Sequence, residues 1–279
     1  MSPWLHEEVA RRMEARLDWI RQPPAAWCHW DPVRGGVAAH ALLRQRFPGA
    51  HCQIFESAEH LRPMAKDLLG PAWWSPGRWR VDFGAPERGS VQMLWANMAL
   101  HMAADPKALL AAWHRAISVD GYLMFSCLGP DTVRELRSLY EQRGWPPPSH
   151  AFTDMHDWGD MLIDAGFAEP VMDMERITLT FATPERLLQE LRELGGNLHI
   201  ARFPALRGRQ WHRELLSAMA TQLVIAPESD AQTAGPLGVT FEIVYGHAFK
   251  PTPRIPVAGQ SAVALDDMRA MLRKKPGAA

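Results

Sequence analysis

The chain has 279 residues, 47% of them hydrophobic, and a formal net charge of −1. That length supports one large core, or a core with a subdomain. The near-neutral charge argues against a wholesale nucleic-acid or membrane binder. The cysteines, Cys28, Cys52 and Cys127, are too widely spaced for a zinc site and read as small buried hydrophobes in a reducing compartment. Residues 1–21 carry acids and no apolar signal-peptide core, and no run of about 18 apolar residues could span a bilayer. A soluble cytoplasmic globular protein is expected.

Leu5, Val9, Met13, Leu17 and Ile20 recur at three- and four-residue steps among charged residues, which predicts an amphipathic helix ended by Pro23-Pro24. Residues 26–30 read as a buried strand with Asp31 at its carboxyl end. A turn with Gly35 and Gly36 leads into a helix over 37–47, stopped by Pro48-Gly49. The β-branched and aromatic run 52–55 is a second strand, closed by Glu56. A β-turn-α-β unit of this kind is the nucleotide-binding half of a doubly wound fold, whose ligand lies beyond the strand ends with the second acid on a ribose hydroxyl pair.

Residues 61–76, rich in Pro, Gly and Trp, read as a poorly periodic connector. A third strand is expected over 79–83 and a fourth, central by its continuous apolarity, over 90–96. Asn97 to His101 follows at its carboxyl end, where such folds place ligands; His101 is read either as a general base or as a packing residue. Asp105 caps a helix that has Pro106 at its first position, with Leu109, Leu110, Trp113 and Ile117 on the buried face. An Asp120-Gly121 turn precedes a fifth strand over 122–127, and a helix is expected over 131–143, before Pro146-Pro147-Pro148.

Thr153 is the expected cap of a helix carrying Met155, Trp158, Met161, Leu162 and Ile163 and ending at Gly166. A long sixth strand covers 171–181. Thr183-Pro184 opens the next helix, a Gly195-Gly196-Asn197 turn follows, and a further helix covers about 208–225. After a polar loop through Gly238, residues 239–249 form the last strand. A Pro-rich tail ends in a short helix that runs into Arg273-Lys274-Lys275. The units expected are an amino-terminal helix (1–26), an α/β core (27–182), a helical insertion (183–238), the last core strand (239–249) and a tail (250–279).

With Asp31 as anchor, the sequence resembles the class I S-adenosylmethionine-dependent methyltransferases. Their first motif is Asp-x-Gly-x-Gly-x-Gly, followed by a helix and an acid at the end of the second strand. Phe47-Pro48-Gly49 and Glu56 fall in register without a gap. Val33 stands at the first glycine, Gly35 keeps the second, and Val37 takes the third, where glycine would allow close approach of ligand to backbone. The resemblance implies a Rossmann-like seven-stranded sheet with helices on both faces, and S-adenosylmethionine as cofactor. It implies cofactor contacts at Asp31, Val33, Gly35, Glu56, Asp82, Phe83 and Asn97, with Asp82 on the adenine amino group and Phe83 beside the ring. It also implies a lid role for the first helix, the bland alternative being a helix packed on the sheet edge.

A narrower resemblance is to the malonyl-acyl-carrier-protein O-methyltransferases of biotin synthesis. It rests on the run from Phe125 to Thr132 with Glu135-Leu136, the run from Phe152 to Asp157, the turn Leu194-Gly195-Gly196-Asn197, and the run from Phe241 to Ala248. It implies methyl transfer to a malonyl carboxylate, which is already anionic at neutral pH and requires no general base. The absence of a convincing nucleophile set or metal cluster is neutral for such a reaction. The insertion would cover the substrate, with Arg202, Arg207 and Arg209 holding the carboxylate or docking an acidic acyl carrier protein; a solvated helix face is the alternative. Two classes stay open: an active methyltransferase, and a silent methyltransferase-like module that binds a carrier without the cofactor. A dehydrogenase would require an intact Gly-x-Gly-x-x-Gly turn.

Overall fold

A computed structural model of the chain describes residues 2–71, 80–225 and 235–253. Seven strands form one sheet in the order β3-β2-β1-β4-β5-β7-β6. They are β1 (Ala26–Trp30), β2 (His51–Phe55), β3 (Val81–Phe83), β4 (Val91–Ala96), β5 (Ile117–Leu128), β6 (Ala168–Phe181) and β7 (Leu237–Phe249). The first five pair in parallel, while β7 runs antiparallel to both β5 and β6. The chain moves outward from β1 to β3 and then returns to β4 on the other side of β1. The crevice beyond the ends of β1 and β4 is therefore the topological switch point where ligands bind in such sheets.

Alternating side chains feed two apolar layers, as the pleat dictates. Trp27, Trp95, Tyr122 and Tyr245 face one layer, and Cys28, Leu94, Phe125 and Val244 the other. The first layer is covered by α1 (Trp4–Ala15), α3 (Val37–Arg46), which follows the single turn α2 (Pro32–Gly35), α6 (Arg134–Gln142), and the insertion helices α8 (Pro184–Leu194) and α9 (Arg209–Gln222). The second is covered by α5 (Pro106–Ala116) and α7 (Met155–Asp164). All three cysteines are free and buried.

Several expectations are corrected. Part of the connector is a helix, α4 (Arg62–Leu69), which buries Ala65 and Leu69 one turn apart. Pro63 in its first turn reads as a breaker in sequence, yet its missing N–H costs nothing there. Asp154, not Thr153, caps α7, accepting from the N–H groups of His156 and Asp157 at 2.7 and 3.0 Å. Asp120 and Gly121 lie inside β5 rather than before it: Asp120 has φ 62° and the pairing with β4 shifts register between Val91 and Met93. Gly121 is required there, because a Cβ would fall 2.7 Å from the Gln92 carbonyl. Asp105 and Thr183 cap their helices as expected, accepting from Ala108 and Arg186 N–H groups. The expected tail helix, the end of the 61–76 connector and most of the polar loop lie outside the described residues.

The first helix is tied down at both ends. Arg12 pairs with Glu175 at 2.7 Å and Arg16 with Asp173 at 2.7 Å, both on β6, and the Arg16 guanidinium lies 3.7 Å from the centre of the Tyr245 ring. Nearer its start, Glu7 reaches the amino terminus of α3, accepting from Val37 N–H at 2.8 Å and Ala38 N–H at 3.1 Å. No helix among the described residues is long and apolar enough to cross a membrane.

Candidate functional site

Asp31 ends β1 in the left-handed region, with φ 51° and ψ 50°. Its N–H donates to the Phe55 carbonyl at 2.8 Å, and its carboxylate accepts from Ser57 N–H at 2.7 Å. The ends of β1 and β2 are thereby stitched together. Pro32, with its preset φ, then starts one turn of helix, α2, in place of an open glycine loop. Gly35 passes so close to β4 that a Cβ would sit 2.7 Å from the Asn97 carbonyl oxygen, and Gly36 has φ 121°. These two positions need glycine.

Glu56 ends β2 and is buried. Its carboxylate accepts from Val33 N–H at 3.3 Å and Ala58 N–H at 3.4 Å. Burial, then the nearby Asp31 charge, push its pKa up to about 7. Asn97, wholly buried, donates from Nδ2 to the carbonyls of Gly35 and His6 (2.8 Å for the latter), and its Oδ1 accepts from Ser126 Oγ at 2.6 Å. One amide thus ties α1, the α2 turn and β5 together.

A cavity of about 310 Å³ opens over this switch point, with Asp31, Gly35, Glu56 and Asn97 among its lining residues. A second, also about 310 Å³, lies on the other side of Glu56 against Ile54, Lys66 and Phe83. Glu56 is common to both. The structure therefore brings together Asp31, Gly35, Glu56 and Asn97, with Phe83 next door. Asp82 lines neither cavity: its side chain is 68% exposed and pairs with His51 Nε2 at 3.0 Å on the sheet edge. The valines at the glycine positions do not line the first cavity either. Val33 contributes its N–H to Glu56, and Val37 packs against the core beneath α1.

His101 belongs to packing. Its Nδ1 accepts from Leu128 N–H at 3.3 Å, Phe152 meets its ring edge-on at 6.0 Å, and burial holds its pKa well below the ordinary range. It lines a third cavity, with His150 and Trp158, rather than the one over the switch point. Arg202 and Arg209 are exposed on the insertion. Arg207 is clamped there, its guanidinium 4.3 Å from the Phe203 ring centre and 4.0 Å from that of Trp211. None of the three arginines lines the cavity over the switch point, which the insertion reaches through Leu194.

Sequence reasoning missed His6, Arg34, Met102 and Asp105 in that lining. Arg34 carried a signal, being a cation inside the turn that should cradle a ligand. His6 carried none, because at helical spacing with Val9 and Met13 on the buried face of α1 it is indistinguishable in sequence from a packing residue.

S-adenosylmethionine, the cofactor implied by the sequence, fits these residues. A buried acid at the end of β2 lines both cavities, and Gly35 lines the one over the switch point. A seven-stranded sheet with one reversed strand and acids on the ends of β1 and β2 is the class I methyltransferase architecture. Two solved structures share the fold. The YcgJ protein of Bacillus subtilis superposes with a TM-score of 0.56 at 11% identity, covering 87% of this chain and 100% of that one. A presumed methyltransferase from Bacillus halodurans C-125 gives a TM-score of 0.57 at 14% identity, covering 86% and 99%.

Sequence relatives narrow this further. The malonyl-[acyl-carrier protein] O-methyltransferase of Laribacter hongkongensis is 37% identical over 264 residues, covering 90% of this chain and 84% of that protein. Those of Gallionella capsiferriformans and Nitrosospira multiformis are 35% and 33% identical, covering 91% and 90% of this chain and 87% and 84% of theirs. The chain belongs to the malonyl-[acyl-carrier protein] O-methyltransferase family. No family model matches it.

Proposed function

We propose that the chain methylates the free carboxylate of a malonyl group carried as a thioester on an acyl carrier protein, an early step of biotin synthesis, with S-adenosylmethionine as donor. Family membership supports the reaction. The observation that carries the cofactor assignment is Glu56, buried at the end of β2 and common to two cavities. In this reading Glu56 takes the ribose hydroxyls, Phe83 and Ile54 give adenine an apolar wall, and Asp31 holds the backbone just beyond Glu56 in place.

When bound, S-adenosylmethionine supplies a methyl group on a positively charged sulfur, which passes to a carboxylate oxygen and leaves a thioether behind. The acceptor is ionised at neutral pH, so the protein has no proton to move. Its residues align the acceptor and exclude water, and alignment alone offers effective molarities of roughly 10⁵ M or more. A narrow cavity of about 110 Å³ lies under the insertion, between Leu136, Phe152 and the 195–197 turn, and shares Met102 and Leu194 with the cavity over the switch point. It is the proposed route for the acyl arm. The insertion exposes Ile200 by 98% and Leu206 by 100%, with exposed Arg202 and Arg209 two and three residues from them in sequence. Exposed apolar side chains close in sequence to exposed cations suit an acidic carrier protein.

Incubation with methyl-labelled S-adenosylmethionine and malonyl-loaded carrier should place the label in a methyl ester on the carrier. Carrier binding without transfer would make the chain a silent binding module. Transfer to a carrier lacking malonyl would move the acceptor elsewhere.

A further inference from the structure

The cavity over the switch point carries three acids in its lining, Asp31, Glu56 and Asp105. Arg34, at the tip of the α2 turn, is the one Arg or Lys among the described residues that line it. Its carbonyl accepts a hydrogen bond from Nδ1 of His6 at 2.7 Å. A carbonyl can only accept, so Nδ1 carries the ring proton. Desolvation, with a smaller contribution from the Arg34 charge, lowers the His6 pKa to about 4, and at neutral pH Nε2 is a bare acceptor. His6 lines the same cavity, is 3% exposed, and its Nε2 has no hydrogen-bond partner. A buried acceptor left unpaired is costly, and a ligand that brings a donor would relieve it.

We infer that His6 and Arg34 together recognise the amino-acid end of the cofactor, His6 Nε2 accepting from the α-ammonium and the Arg34 guanidinium pairing with the α-carboxylate. This rests on the cofactor assignment made above. A zwitterion presents an N–H donor and an anion from a single carbon atom, so its complement is an acceptor beside a cation. The hydrogen bond from His6 to the Arg34 backbone supplies that adjacency. The malonyl carboxylate is a poorer match: it would satisfy Arg34, but it would set an anion against the lone pair of Nε2. The assignment also accounts for the altered motif. The turn has given up two glycines and coiled into helix, and side chains from α1 and from the turn's own tip take over contacts that an open glycine loop would make through its backbone.

The test is calorimetric binding of two probes, S-adenosylhomocysteine and 5′-methylthioadenosine, the second lacking the amino-acid end. Arg34→Ala should weaken S-adenosylhomocysteine roughly 10- to 100-fold, the range of a charge-assisted bond, and leave 5′-methylthioadenosine unchanged. Arg34→Lys should recover part of the loss. His6→Asn keeps a donor for the Arg34 carbonyl but removes the Nε2 acceptor, so it separates recognition from the packing of α1; it should show the same selectivity. Equal losses for both probes would reduce the two residues to supports of the turn and overturn the inference, as would unchanged binding. If the natural protein binds neither probe, the cofactor assignment itself fails. If it binds both and the variants lose nothing selectively, the inference alone fails.

Discussion

Glu56 is held close to its midpoint at neutral pH, with burial the larger cause and the Asp31 charge the second. As a carboxylate it can accept from both ribose hydroxyls, and as an acid it would have to donate one of its bonds. Binding of the nucleoside should therefore draw off a proton. Affinity for S-adenosylhomocysteine should rise with pH up to about 7 and level off above it, and the calorimetric heat should vary with the ionisation enthalpy of the buffer. Glu56→Gln should remove the pH dependence and cost about 1.5–3 kcal/mol of binding; affinity that stays flat from pH 6 to 8 in the natural protein would take Glu56 out of the site. Asp31 and Glu56 were legible in the sequence because each is an acid following a short apolar run, with the Pro-Gly helix stop between them. The fate of the turn was not. Val33 and Val37 look like obstacles to a ligand when the motif is imagined as an open loop, but Val33 is buried with its N–H on Glu56, and Val37, set beyond Gly36 at φ 121°, packs against the core. Spacing alone could not distinguish the two conformations.

The α3 helix has no cap of its own. Gly36 precedes it, and the carboxylate that accepts from Val37 and Ala38 N–H groups belongs to Glu7 on α1. An acid there also answers the positive end of the helix dipole, so one residue both caps α3 and holds α1 over the switch point. Glu7→Ala should cost about 0.5–2 kcal/mol, as loss of an N-cap does, and hydrogen exchange should rise in α1 and the first turn of α3 ahead of the rest; uniform exchange across the molecule would mean that Glu7 does not hold α1 over the switch point. The insertion carries a second element-scale prediction. Arg202→Glu with Arg209→Glu should slow association with malonyl-loaded carrier, and the natural protein's association should weaken as salt rises, since the screening length is only about 10 Å at 0.1 M. Arg207 is left out because its substitution would also unseat Phe203 and Trp211. Salt-independent association would assign the arginines to ordinary surface. Helices with plain apolar periodicity were readable in the sequence, whereas α4 was hidden by its Pro and Trp neighbours. The start of β5 was hidden by an Asp-Gly pair that serves as a strand irregularity rather than a turn.

At the scale of the whole molecule, the alternation of short apolar runs with amphipathic helices made the doubly wound sheet legible. The pairing of His6 with Arg34 was invisible, because it joins residues from two elements through a backbone carbonyl. The same burial sets a global property. His6 and His40 have pKa values of about 4, and His29 and His101 are held well below the ordinary range, in each case chiefly by desolvation. His29 and His40 share a buried contact, Nδ1 to Nδ1 at 3.5 Å, with ring planes 3° apart. A histidine with a depressed folded pKa binds its proton more readily when unfolded, so stability rises with pH wherever the unfolded chain carries more protons. The contribution is complete above the unfolded value of 6.5 and is lost as pH falls from there toward 4. Glu56 opposes it: its folded pKa is raised, so the stability it lends is present below 4.5 and fades as pH rises to about 7. Four groups outweigh one. Below the histidine midpoint each of these groups lowers stability as the pH falls, and the set acts against a total stability of only about 5–15 kcal/mol. The urea midpoint should therefore drop steeply between pH 7.5 and 5.5. Replacing the buried pair together, His29→Leu with His40→Leu, should make that drop shallower even if stability at pH 7.5 also changes, because two of the proton-binding sites exposed on unfolding are gone. A midpoint that does not move over this range, or a double variant with the slope of the natural protein, would show that these imidazoles accept protons without unfolding.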